Sequence, residues 1–129
     1  MYDRLPVGAP PKAVVAALRD VLRERGITEY AVVNHGHDMA AAGRPAYPAW
    51  TVIFGSPAAG AQLLAYDLAA AVDIPLRLAV IGRDGGSEIV LRDMRSLIHA
   101  DVADGFTAVL QGLAQAARDR AYVNFPRTC

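Results

Sequence analysis

The sequence predicts an α+β domain over residues 1–129 in which a mainly antiparallel sheet carries helices on one face. The strand and helix patterns follow each other in the order β-α-β-(α)-β-α-β-β-α, and each helical pattern has only one apolar face. Residues 83–86 contain two adjacent glycines, which favour a hairpin turn between the last two strands. A doubly wound parallel sheet is the alternative, because helices alternate with strands over much of the chain.

The first half of the chain contains four predicted elements. Residues 2–7 alternate weakly and predict an edge strand, since Pro6 is tolerated only at an edge. Apolar residues at helical spacing predict an amphipathic helix over residues 10–25, which Gly26 ends. Residues 30–34 are β-branched and apolar and predict a strand, and the Ala-rich residues 38–42 predict a turn of helix.

In the second half, residues 50–54 predict a buried strand that Gly55 ends. Ser56 can cap the following helix and Pro57 suits its first position, so we expect a helix that continues to residue 72. Two strands at residues 76–81 and 88–91 are expected to pair antiparallel. A final amphipathic helix is expected from residue 101 to about residue 120.

Composition argues against several functional classes. Thirteen basic and thirteen acidic side chains give no basic stripe for a nucleic-acid backbone, so no nucleic-acid partner is expected. No segment resembles a signal peptide or a membrane span, and a cytoplasmic location without membrane association is predicted. The only cysteine is Cys129, which excludes an internal disulfide and favours a reducing compartment.

Three ungapped blocks of sequence resemble a known family. Their matching residues are Phe54, Gly55, Pro57, Gly60 and Leu63; Asp73, Pro75 and Leu76; and Asp84, Gly85 and Gly86. This pattern is similar to domain-of-unknown-function family 302, small prokaryotic proteins of uncharacterised function. The resemblance implies an α+β fold and pairing into homodimers, and it singles out the strand that ends at His35. Polar family positions are replaced here at Ser56, Ala58, Ala61, Gln62 and Leu64.

The predicted strand-turn-helix around Gly55, Ser56 and Gly60 is a candidate ligand site. Amide groups at a helix start can hold a carboxylate or a phosphate. The glycine spacing resembles that of a phosphate-binding loop, but Ala61 and Gln62 stand where Lys and Ser/Thr would be required. Nucleoside triphosphate hydrolysis is therefore not expected, and a cap with glycines chosen for tight packing is the simpler interpretation.

His35 is the candidate for acid–base chemistry or ligand orientation, because histidine titrates near neutral pH. His35 and His37 alone provide too few ligands for a metal site, so none is predicted, and no cofactor is identified. Asp73 is expected to cap or terminate a helix, or to fix the tautomer of His35, and Arg77 lies at the entrance of a strand.

Three functional hypotheses follow. The favoured one is a homodimeric module that binds a small organic or anionic molecule in a pocket lined by His35, Gly55, Ser56, Gly60, Asp73 and Arg77. The second is an enzyme that uses His35 as a general acid or base. The third is an interaction protein without a ligand, whose function lies in a dimer surface and in the aromatic residues of the segment 122–126.

Overall fold

The computed structural model describes residues 2–94 and 100–124. Its strands are β1 (Tyr2–Val7), β2 (Thr28–Asn34), β3 (Ala49–Gly55), β4 (Leu76–Arg83) and β5 (Gly86–Arg92). Its helices are α1 (Pro11–Glu24), α2 (His35–Ala41), α3 (Pro57–Tyr66) and α4 (Ala100–Asn124), and a 3₁₀ segment covers Leu68–Val72.

The five strands form one sheet in the order β1-β5-β4-β3-β2. Every pair of neighbouring strands is antiparallel. This confirms the predicted α+β class and removes the doubly wound parallel alternative. The β4–β5 hairpin turns at Asp84 and Gly85, and Gly85 has a φ of +76°, a conformation that glycine adopts without strain.

The main core lies between one face of the sheet and the helices α1 and α4, which also pack against each other. Side chains alternate along a strand, so each central strand sends every second residue into this core. The largest fully buried side chains include Phe54 and Leu78 from the sheet, Leu18 and Leu22 from α1, and Leu113 from α4. The opposite face of the sheet carries the alternate residues, and it is called the open face below.

Two of the differences between predicted and observed boundaries have a clear local cause. The helix expected from Pro57 to residue 72 ends at Tyr66, because Asp67 adopts an extended backbone and its carboxylate accepts a hydrogen bond from the amide of Ala69. That side chain caps a separate 3₁₀ segment. The second difference is that α2 begins at His35, where Asn34 caps the helix by accepting a hydrogen bond from the amide of His37.

The end of α4 lies against the end of β1. The Tyr122 hydroxyl accepts a hydrogen bond of 3.2 Å from the amide of Gly8. The rest of the segment 122–126 beyond Asn124 lies outside the described residues, as does Cys129. Within residues 2–94 and 100–124, no helix is both long enough and apolar enough to cross a bilayer.

Candidate functional site

A cavity of about 410 Å³ lies where β3 leads into α3. Its walls come from β2, the β3–α3 turn, α3, the segment before β4, and α4. The lining side chains and backbone include Tyr30, Gly55, Gly60, Leu64, Ile74 and Phe106. We call this space the apolar cavity, because none of the lining residues is an aspartate, glutamate, lysine, arginine or histidine.

Two glycines keep the apolar cavity open. Neither Gly55 nor Gly60 has a positive φ, so the turn itself does not require glycine at these positions. A Cβ atom at Gly55 would lie 3.4 Å from Cε2 of Tyr30, and one at Gly60 would lie 3.7 Å from Cδ1 of Ile74. A larger side chain at either position would therefore extend into the space that the cavity now occupies.

The polar groups at the cavity wall are few. The Ser56 hydroxyl accepts a hydrogen bond of 3.4 Å from the amide of Ala59, which confirms the predicted cap of α3. The amide of Gly60 donates to the Ser56 carbonyl over 2.8 Å. These bonds occupy two amides at the start of α3, so fewer free N–H donors remain for an anion than the sequence suggested. The shape and chemistry of this cavity suit an uncharged molecule.

A second cavity of about 260 Å³ shares Pro75 and Leu76 with the wall of the first. It is also lined by Asp73, Arg77 and Arg92. We call it the arginine cavity. Arg77 and Arg92 are exposed, and Asp73 is half-buried. This cavity, unlike the first, is lined by both charges and apolar surface.

His35 lines neither of these cavities. Its Nε2 lies 2.7 Å from Oγ1 of Thr51, and this hydrogen bond can run in either direction according to the tautomer of the ring. Thr51, the partner of His35, pairs with Ala79 near the start of β3. Asp73 precedes β4, whose first residue Leu76 pairs with Phe54 near the end of β3, so His35 and Asp73 lie toward opposite ends of this strand. The hydrogen-bond partner of His35 is thus a hydroxyl group and not the carboxylate of Asp73.

A cluster of charged side chains that perturbs a carboxyl group lies away from both cavities. Hydrogen bonds from Arg4 and then Arg83, each at 3.0 Å, hold the pKa of Glu88 below its usual value. The arginines are half-exposed, so this cluster is a solvent-screened network at the sheet surface. Among the described residues, no group of three histidine, cysteine, aspartate or glutamate side chains is placed to hold a metal ion.

A family model described as "Domain of unknown function DUF302" matches residues 4–121 of this chain. The chain belongs to this family. A similar solved structure is the "uncharacterized conserved protein DUF302 from Bacillus stearothermophilus", with 16% sequence identity and a TM-score of 0.69. The alignment covers 95% of this chain and 93% of that one, and at this identity it shows a shared fold. No curated protein matches the chain.

In this DUF302 chain, the predicted site residues fall into three places. Gly55, Ser56 and Gly60 line the apolar cavity. Asp73 and Arg77 line the arginine cavity. His35 lies at the other end of β3, so the single pocket envisaged from the sequence is not assembled.

Sequence reasoning missed several wall residues. Tyr30, Ile74 and Phe106 reach the apolar cavity from elements far apart in the chain, and no local signal marks them. Arg92 could have been found, because counting outward from the hairpin turn places it opposite Arg77.

Proposed function

We propose that this DUF302 protein is a small-molecule binding module whose ligand places an uncharged, apolar portion in the apolar cavity. The observation that carries the proposal is an open space of about 410 Å³ with a lining that is almost entirely apolar. Ligand sites typically have volumes of about 300–1,000 Å³ and combine apolar walls with a few polar groups. Tyr30 and Ser56 are the lining residues with polar side chains.

The walls favour a flat or compact ring system over a charged ligand. Tyr30 and Phe106 contribute aromatic rings, while Ile74 and Leu64 contribute aliphatic surface. Aromatic pairs gain free energy beyond the area that they bury, and a carboxylate or ammonium group here would lose its water without gaining an opposite charge. The preferred ligand is therefore neutral where it enters this cavity.

Indole is a suitable probe, and its binding can be followed from amide chemical shifts in ¹H–¹⁵N NMR spectra. We expect saturable shifts at Gly55, Gly60 and Ile74. Replacing Gly60 with leucine is expected to abolish them, because the new side chain starts 3.7 Å from Ile74 and fills the cavity. The fold should be kept, since glycine within a helix costs about 0.8–1 kcal/mol relative to alanine and leucine is a good helix former.

Two controls sharpen this test. Gly112→Ala changes a glycine of α4 whose added Cβ would meet nothing within 4 Å, so indole binding should be unchanged. His35→Ala should also leave it unchanged, because His35 lines neither cavity. Retention of indole binding by Gly60→Leu would place the ligand outside the apolar cavity. Loss of indole binding in His35→Ala with the fold intact would favour a site built on His35.

We also propose that the protein forms a homodimer through the open face of the sheet. Val33, Ile53, Ile81 and Val90 lie on this face, because they alternate with residues that face α1 and α4. All four are half-buried within one chain. Apolar residues on a sheet face that α1 and α4 do not cover can form a protein–protein contact surface, and a second copy would present the same residues.

Light scattering after size-exclusion chromatography tests the dimer. Wild type is expected to have twice the mass of one chain, and Ile53→Glu is expected to be monomeric, because an apolar contact with the second copy is replaced by a carboxylate that must lose its water in the interface. Ile53 pairs with Arg77, so the free chain accommodates the carboxylate. Val109→Glu, at a position 46% exposed on α4, should remain dimeric. A monomeric wild type, or a dimeric Ile53→Glu, would contradict this proposal.

A further inference from the structure

Two arginines on neighbouring strands converge on one cavity. The pairing of β4 with β5 runs from Arg83–Gly86 to Ala79–Val90. Both strands continue beyond that last pair, and the same register continued by two residues sets Arg77 against Arg92. Both residues line the arginine cavity. Both side chains are exposed, and two like charges at one cavity repel each other, which a bound anion would relieve.

Neither arginine is neutralised within the described part of the chain. The ion pairs there engage other arginines, such as Arg4 and Arg83 with Glu88 and Arg19 with Glu29. Arg77 and Arg92 have no such carboxylate partner among residues 2–94 and 100–124. Their guanidinium donors remain available to a ligand that enters the cavity.

We propose that the arginine cavity is an oxyanion-binding site in which Arg77 and Arg92 hold a carboxylate or phosphate group of a small molecule. A guanidinium presents its N–H donors in a planar fork that matches both groups, and such charge-assisted bonds are stronger than neutral ones. Pro75 and Leu76 contribute to the walls of both cavities, so the anion lies beside the apolar cavity.

Asp73 sets the charge of the site. With Arg77 and Arg92 it gives a formal net charge of +1 at the cavity wall, because one carboxylate opposes two guanidiniums. The Asp73 carboxylate repels an incoming oxyanion and limits its affinity. Removing the Asp73 charge is therefore expected to raise the affinity for an oxyanion, whereas removing either arginine is expected to lower it. If binding instead depended only on the overall charge of the protein, substitution of an arginine outside the cavity would weaken it equally.

Titration with inorganic phosphate and, separately, with sodium acetate tests the site. Shifts of backbone amides and arginine Nε–H groups are followed by NMR at constant ionic strength, with chloride as the balancing anion. We expect saturable shifts at Arg77 and Arg92 with at least one of the two probes. Stronger binding of phosphate or of acetate identifies which oxyanion the cavity prefers.

Single variants show whether each charged side chain strengthens or weakens oxyanion binding. Arg77→Gln and Arg92→Gln are each expected to weaken binding about tenfold or more, the effect of losing a hydrogen bond to a charged group. Asp73→Asn is expected to strengthen it severalfold. Arg44→Gln removes the same charge from an exposed loop residue that lines neither cavity, and it should leave binding unchanged.

The inference is overturned if neither probe gives shifts beyond those caused by chloride, or if Arg44→Gln weakens binding as much as Arg77→Gln does. Its failure is distinguishable from failure of the proposed function, because indole reports on the apolar cavity and phosphate or acetate on the arginine cavity. Gly60→Leu is expected to abolish indole binding and to leave oxyanion binding intact. Loss of both in that variant would contradict the separation of the two sites.

Discussion

Replacing Phe54 with alanine is expected to lower the free energy of unfolding by about 3–5 kcal/mol. Phe54 is 1% exposed and lies on the face of β3 that packs against the helices. The substitution removes a large apolar side chain and leaves a cavity that neighbours such as Leu18 and Leu78 fill only in part. Urea unfolding followed by circular dichroism at one protein concentration measures the change.

An exposed aromatic residue provides the control for Phe54. Tyr47 is 64% exposed, and Tyr47→Ala is expected to change stability by about 0.5 kcal/mol or less. Should Phe54→Ala fail to fold, Phe54→Leu gives a smaller, graded loss that still depends on burial. Equal effects of Phe54→Leu and Tyr47→Ala would mean that Phe54 is not a central core residue.

Replacing Gly86 with alanine is expected to destabilise the protein by about 1–3 kcal/mol, although only one methyl group is added. A Cβ atom at Gly86 would collide with the carbonyl oxygen of Val7 and lie 3.3 Å from Cα of Gly8. These are backbone atoms, and they are held in place by the β1–β5 pairing and by the 2.6 Å hydrogen bond that Ser87 Oγ donates to the Ala9 carbonyl. Neither the backbone around Val7 and Gly8 nor that of Gly86 can move without breaking these contacts.

Replacing a glycine of α4 with alanine should instead raise the stability of the protein. Gly112 lies inside the helix, and an added Cβ would meet nothing within 4 Å. Gly112→Ala is therefore expected to stabilise the protein by about 0.5–1 kcal/mol through helix propensity. Urea unfolding of both variants measures the contrast. A neutral Gly86→Ala would show that β1 does not approach β5 closely at this point.

Local chemistry accounts for the features that the sequence predicted well. Ser56 and Pro57 specify a helix start by capping and by backbone geometry, and the structure has α3 begin at Pro57. Gly85 specifies the hairpin in the same way, since a positive φ suits glycine. Each of these signals depends on residues that are adjacent in the chain.

The residues that come together at each cavity depend on strand pairing and helix packing between distant parts of the chain, which the sequence patterns do not reveal. Whether His35 joins Gly55 in one site depends on the register of β2 with β3, which aligns Asn34 with Trp50 and Thr28 with Gly55. His35 therefore follows the end of β2 that is remote from Gly55. Phe106 reaches the apolar cavity only because α4 packs across the sheet, and no spacing within α4 indicates this.

A crystal structure of the protein soaked with indole would show where the ring binds. We expect electron density for the ring between Tyr30, Ile74 and Phe106, and no such density in Gly60→Leu crystals treated identically. Wild-type crystals in which this space stays without indole, or in which indole binds beside His35 instead, would contradict the assignment of the apolar cavity as the ligand site.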